Sequence, residues 1–254
     1  MPYQIIVYGN STFVPTQCFH RMTHPQIFSL KRAVFSFAPW SWPFAQQRRA
    51  DIDAHFAARQ AKTPELWNGR VLLMREHAFE GSALTGTFFE TDFASFIAWR
   101  DFGFPESGIV NCFSMGALRG SDGGWLLGVM GQHTANPGRI YFPAGTPEPE
   151  DVTGDQVDLA ANVMREVAEE TGLTLADFAM EAGWTAVVAG PRIALMRVMQ
   201  AREPADVLRA RILRHLASER EPELADIHIV RSSADFTATM PEFVTAFLGH
   251  LLLR

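Results

Sequence analysis

Nine consecutive residues, Arg165-Glu166-Val167-Ala168-Glu169-Glu170-Thr171-Gly172-Leu173, gather the side chains best suited to chemistry. Positions three and four apart on a helix are neighbours, so Glu166, Glu169 and Glu170 converge on one face while Val167 and Leu173 point inward. Three carboxylates on one face repel each other. A hard divalent cation among them relieves the repulsion, and Mg²⁺, which prefers oxygen ligands and keeps several waters, suits a place beside a substrate phosphate. The first reading is therefore a magnesium site with Glu166, Glu169 and Glu170 as ligands, Mn²⁺ being the alternative ion for the same oxygen set.

The elements that must position these groups are written on either side. Asp158 is a good N-cap, and Leu159-Ala160-Ala161-Asn162-Val163-Met164 supplies helix formers and a buried stripe. Gly172 is free to take the left-handed conformation that stops a helix. Upstream, Arg139-Ile140-Tyr141-Phe142 is β-prone and runs into Pro143-Ala144-Gly145, so a strand and a glycine-containing loop feed the helix. Backbone carbonyls of Ala144 or Gly145 and the acidic face together make a cradle for metal and diphosphate.

These residues resemble the signature of the Nudix hydrolases: a glycine, five residues, a glutamate, seven residues, then Arg-Glu-hydrophobic-any-Glu-Glu-any-Gly-hydrophobic. Arg165 to Leu173 matches the second half at every defined position. In the first half Gly145 is followed, at the family's spacing, by Asp151 in place of glutamate, and thirteen residues instead of seven separate Asp151 from Arg165. The six extra residues fall around Val152-Thr153-Gly154-Asp155-Gln156. The resemblance implies that a carboxylate pairs with Arg165 to fix the loop, and Asp151, Asp155 and Asp158 are the candidates. It also implies an α/β/α sandwich with a mixed sheet, and a glutamate from a late loop that completes the metal site or serves as base; Glu221 and Glu223 stand in such a loop.

The chain has 254 residues, nearly half of them apolar, enough for one domain with a substantial extension. The division expected is an α+β amino-terminal extension over 1–105 and a Nudix domain over 106–254. The net charge of −6 and scattered arginines speak against a nucleic-acid face. Cys18 and Cys112 are far apart and fit an unbridged cytoplasmic protein. The start lacks a basic, apolar leader and no stretch approaches a membrane span.

Within 1–105, Ile5-Ile6-Val7-Tyr8 and Arg70 to Met74 read as strands, Asp51 to Arg59 and Phe93 to Phe102 as helices. The aromatic run from Phe35 to Phe44 is suited either to stacking on a base or, more commonly for rings beside prolines, to sealing a core or dimer surface. Leu66-Trp67-Asn68-Gly69 and Thr91-Asp92-Phe93 resemble two short segments of Nudix proteins that cleave UDP-sugars. From Ile109 onward a β-meander is expected, with strands Val110–Leu118 and Trp125–Met130 joined at Ser121-Asp122-Gly123-Gly124. The next loop offers His133, Thr134 and Asn136 to a substrate, although Asn-Pro-Gly is a turn in its own right. Strands over 183–190, 193–199 and 227–230, a helix over 205–218, and a closing helix from Pro241, with that proline in its first turn, complete the pattern.

The activity implied is metal-assisted hydrolysis of a nucleoside diphosphate linked to another moiety, such as a nucleotide sugar or ADP-ribose. Glu166 and Glu170 hold the metal, Glu169 and the Ala144 or Gly145 carbonyl assist, and Arg165 positions the loop. A coenzyme A diphosphatase and a silent nucleotide sensor are the rival readings. The expected partner is a small nucleotide, with the extension offering surface for a two-fold dimer.

Overall fold

The computed structural model describes residues 24–253, so the strand expected at Ile5–Tyr8 and Cys18 lie outside the described residues. The chain begins with β1 (Gln26–Leu30) and β2 (Arg32–Phe37), then α1 (Pro43–Gln47) and α2 (Arg49–Gln60). A long hairpin, β3 (Arg70–Glu80) and β4 (Ala83–Asp92), leads into α3 (Phe93–Asp101). Next come β5 (Asn111–Arg119), β6 (Trp125–Met130), β7 (Ile140–Tyr141), β8 (Ala144–Gly145), β9 (Val152–Thr153), β10 (Gln156–Val157) and α4 (Leu159–Thr171). The rest is β11 (Phe178–Met180), β12 (Trp184–Ala189), β13 (Arg192–Ala201), α5 (Ala205–Leu216), β14 (Leu224–Val230) and α6 (Glu242–Leu252).

The larger sheet runs β1-β12-β13-β5-β6-β14, with β11, β7 and β8 attached at its margins. It is mixed: β13 and β5 are parallel, in register from Arg192 opposite Asn111 to Gln200 opposite Arg119, while its other pairs are antiparallel. These central strands are apolar on both faces because both are covered. The two-residue period sends Phe113, Met115 and Ala117 to the side where α6 packs Val244, Phe247 and Leu248. Leu118, Leu126 and Met199 face Val163 and Val167 of α4 and Leu208, Ile212 and Leu216 of α5. Helices on both faces of a mixed sheet make the α/β/α layering.

A second sheet, β3-β4-β2-β10-β9, packs against the first. Phe35, Leu72, Met74, Leu84 and Phe88 from it share one core with Cys112, Ala186, Val188, Ile193 and Leu195. Residues on either side of position 105 thus exchange strands: β1 extends the larger sheet beside β12, and the hairpin of β9 and β10 extends the smaller one beside β2. Mutual N–H···O bonds between Met74 and Val110 (3.0 and 2.9 Å) tie the sheets together.

The aromatic run packs inward. Phe35, Trp42 and Phe44 are buried, and Trp42 meets Phe89 and Trp99 edge-on at centroid distances of 5.7 and 5.9 Å. Trp42 and Phe44 form, with Ile52, Phe56 and Ile97, the core of the α1–α3 layer, and Phe35 lies in the core shared by the two sheets, so these rings are not offered to a base. Two element expectations change. The strand expected over 139–142 is ordered as β7 only at Ile140–Tyr141, since Pro143 has no N–H to carry the ladder on. Pro241 is the N-cap of α6 and not part of its first turn. Among the described residues no helix is long and apolar enough to cross a membrane.

Candidate functional site

The acidic helix is α4, and its ends are fixed as its capping residues dictate. Asp158 Oδ1 accepts the backbone N–H of Ala160 and of Ala161, both at 2.9 Å. Gly172 closes the helix at φ 68°, where any side chain would be strained and would also meet His215. Leu159, Val163 and Val167 anchor one face in the core. That face carries Glu170 inward with them.

The three glutamates do not share one environment. Glu170 is only 6% exposed; its Oε1 accepts the Ala144 N–H at 3.3 Å, and its Oε2 is buried with no hydrogen-bond partner. Burial, and then the Glu223 and Glu166 charges, hold its carboxyl well above the usual carboxylate range. Glu166 is mostly buried, and burial together with Glu169, Glu223 and Asp151 pushes it up to about 7 despite the Arg165 guanidinium 3.0 Å away. Glu169, expected as a third metal ligand, stands 61% exposed and meets Arg165 at 3.5 Å. Among the described residues no three His, Cys, Asp or Glu side chains are drawn together as a preformed metal cage.

The loop carrying Ala144 and Gly145 lies directly over these carboxylates. Its backbone is held from both sides: Gly116 N–H donates to the Pro143 carbonyl (2.9 Å) and Leu72 N–H to that of Pro147 (2.7 Å). Position 145 is glycine because a Cβ there would overlap the Glu166 carboxylate. The loop and α4 can meet this closely only without a side chain.

Asp151 is the carboxylate that pairs with Arg165. Its oxygens accept from Arg165 Nη2 (3.2 and 3.3 Å), Asn162 Nδ2 (2.9 Å) and the Glu148 N–H (2.9 Å), with its side chain 4% exposed. Asp158 is spent on the helix cap, and the Asp155 carboxylate accepts from its neighbour Gln156. Residues 152–157, between Asp151 and Asp158, form the closed hairpin of β9 and β10, turned at Gly154. At its base the Asp158 N–H donates to the Asp151 carbonyl at 2.9 Å. The chain therefore returns to the point where it left.

Of the two late glutamates, Glu223 reaches the cluster: its charge raises Glu170, Glu166 and Tyr141, and its carbonyl accepts the Gly131 N–H at 2.7 Å. Glu221 and Glu223 are both exposed, and Glu221 is not among the leading charges on these groups. Asn162 was not singled out by the sequence. It is fully buried, accepts from Ser114 Oγ at 2.6 Å and donates to Asp151, one turn before Glu166.

A cleft of about 760 Å³ opens beside this cluster, with Ala144, Gly145, Tyr141 and Asn136 in its lining. His133 is not in that lining; its ring folds back against Gly131. Asn136 bridges across the cleft, accepting from Arg100 Nη1 (3.2 Å) and donating to the Tyr141 hydroxyl (3.3 Å). The opposite wall is α3, which contributes Phe93, Phe96, Ile97, Arg100 and Asp101. Its one signal in the sequence is Phe93 to Trp99, apolar nearly all round, as a helix wedged between layers must be. The amino-terminal segment therefore supplies one wall of the cleft through α3.

No protein-family profile matches the chain, and no curated protein matches it. Solved structures with similar stretches include the Nudix hydrolase RenU from M. smegmatis (15% identity, 55% of this chain and 81% of that one, TM-score 0.36). A MutT protein from Methanosarcina mazei Go1 is similar over 56% of this chain and 91% of its own (20% identity, TM-score 0.34). The Bacillus subtilis pyrophosphohydrolase BsRppH is similar over 56% and 77% (13% identity, TM-score 0.33).

Proposed function

We propose that the chain is a Mg²⁺-dependent hydrolase of the diphosphate bond in a nucleoside diphosphate joined to a second moiety. The observation that carries this reading is the juxtaposition of Glu166 and Glu170 beneath the Ala144–Gly145 loop, which itself lines a large cleft. The resemblance of Arg165 to Leu173 to the Nudix signature supports it independently. Two buried carboxylates that repel each other, one with an unpartnered oxygen, fit a hard divalent cation. Glu166 and Glu170 would hold it, Glu169 swinging in from solvent. Such an ion supplies Lewis-acid polarisation of a phosphoryl oxygen and eases deprotonation of a water.

The protein's own groups do the rest. Asp151 and Asn162 hold Arg165 and the start of α4 in place, so the carboxylates are presented in a fixed geometry. Glu223, whose charge acts on both Glu166 and Glu170, would take the proton from the attacking water. The aromatic cleft wall accommodates the organic part of the substrate and excludes water from the reacting centre.

The test is Mg²⁺-dependent phosphate release, with an auxiliary phosphatase, over UDP-sugars, ADP-ribose, NADH, dinucleoside polyphosphates and coenzyme A, with Glu170→Gln alongside. Release that disappears in the folded variant is expected. Undiminished release in that variant, or silence across the panel, would overturn the assignment.

A further inference from the structure

The far wall of the cleft is strongly cationic. Arg100 at the end of α3, Arg139 before β7 and Arg192 at the start of β13 all line it. They come from segments far apart in sequence. Burial, and next the proximity of Arg100 and Arg139, lower the pKa of Arg192, as expected where like charges converge. The carboxylates here do not neutralise them all. Asp101 is already engaged by Arg100 (3.0 Å), Arg59 (3.2 Å) and His55 (2.9 Å), and Glu242 is the other acid in the lining. Arg192 rests its guanidinium on the Phe104 ring at 4.8 Å, which orients the group without consuming its N–H donors. Asn111, opposite Arg192 in the parallel pair, adds a carboxamide to the same wall.

Held guanidinium groups with free donors in a partly dry cleft are the chemistry that recognises phosphate. Asn136 links Arg100 to the Tyr141 hydroxyl, and the three arginines line the same cleft as the Ala144–Gly145 loop that covers the carboxylates. We propose that Arg100, Arg139 and Arg192 form a second anion subsite, and that the substrate carries a phosphomonoester in addition to the diphosphate cleaved at Glu166 and Glu170. The diphosphate part of this statement rests on the function proposed above; the subsite itself does not.

The experiment measures calorimetric binding of two ligands that have no diphosphate to cleave: AMP, and adenosine bisphosphate phosphorylated at both ends of its ribose. The full chain in Mg²⁺ is expected to bind the bisphosphate at least about tenfold more tightly. Arg139→Met and Arg192→Met should each cut that preference to about twofold, and Arg192→Lys, which keeps a charge, should retain part of it. Arg139 is exposed, so its variant keeps the test valid if Arg192→Met fails to fold. Equal affinity for the two ligands, no binding of either, or a preference that survives in both methionine variants would overturn the subsite. Diphosphate cleavage with equal binding would sink the subsite and leave the hydrolase standing. A bisphosphate preference lost in the methionine variants, without any cleavage, would uphold the subsite and sink the hydrolase.

Discussion

Replacing Asp151 by alanine separates the three candidate partners of Arg165. The side chain, 4% exposed, accepts from the Asn162 carboxamide, the Glu148 N–H and Arg165. Asn162 is fully buried, so its donor cannot turn to water when the carboxylate goes. Stranding a buried donor costs about 1–3 kcal/mol, and here two N–H groups are stranded at once. Arg165 softens the loss, since it is 27% exposed and keeps Glu166 at 3.0 Å and Glu150 at 3.3 Å. Removing a buried carboxylate also recovers some of its desolvation. The net expectation is a loss of about 3 kcal/mol in urea unfolding, or a fall of about 6–12 °C in Tm for a chain of this size. Asp158→Ala should cost about 1 kcal/mol as the loss of an N-cap. Asp155→Ala should stay within about 0.5 kcal/mol, as an exposed hairpin residue does. A double-mutant cycle should find coupling of about 1 kcal/mol between Asp151 and Arg165 and none between Asp158 and Arg165. The reasoning fails if Asp151→Ala unfolds within 1 kcal/mol of the parent chain, or if either other aspartate costs as much.

Two further outcomes follow from the same packing. Gly145→Ala places a methyl group where the Glu166 carboxylate lies, so the carboxylate must swing away; turnover should drop at least about tenfold while stability changes by less than about 1 kcal/mol, and retained turnover in a folded variant would count against the proposed role of Glu166. His77 is buried in β3, and burial lowers its pKa from 6.5 to about 4. The unfolded chain takes up the proton first, so stability present above pH 6.5 is lost as the pH falls toward 4, by about 2–3 kcal/mol. Urea midpoints across this range should flatten in His77→Gln; an unchanged slope would show that another group carries it.

Much of α4 was legible in the sequence because its determinants are local. The Asp158 cap, the apolar stripe and the Gly172 stop each act within a turn or two of the residue concerned, and the structure realises all three. The central strands were legible for a similar reason, as apolar runs bounded by turns. The differing surroundings of the glutamates were not. Helical spacing alone makes Glu166, Glu169 and Glu170 equivalent neighbours, but only the packing of α4 on β5 and the loop above it buries two and leaves the third in solvent.

The sequence by itself determined which residues have the chemistry, a helix bearing carboxylates and an arginine that needs a partner. Tertiary structure decided which groups meet them. Asp151 meets Arg165, and Asp155 and Asp158 do not, because the intervening residues close into a hairpin. Asn136 stands in the cleft and His133 does not, since that loop is held by Arg100 and Arg59 from helices more than thirty residues away. The cationic wall itself draws on α3, β13 and the loop before β7. Scattered arginines become a site only when non-local strand and helix packing brings them together, and no local spacing rule encodes that convergence.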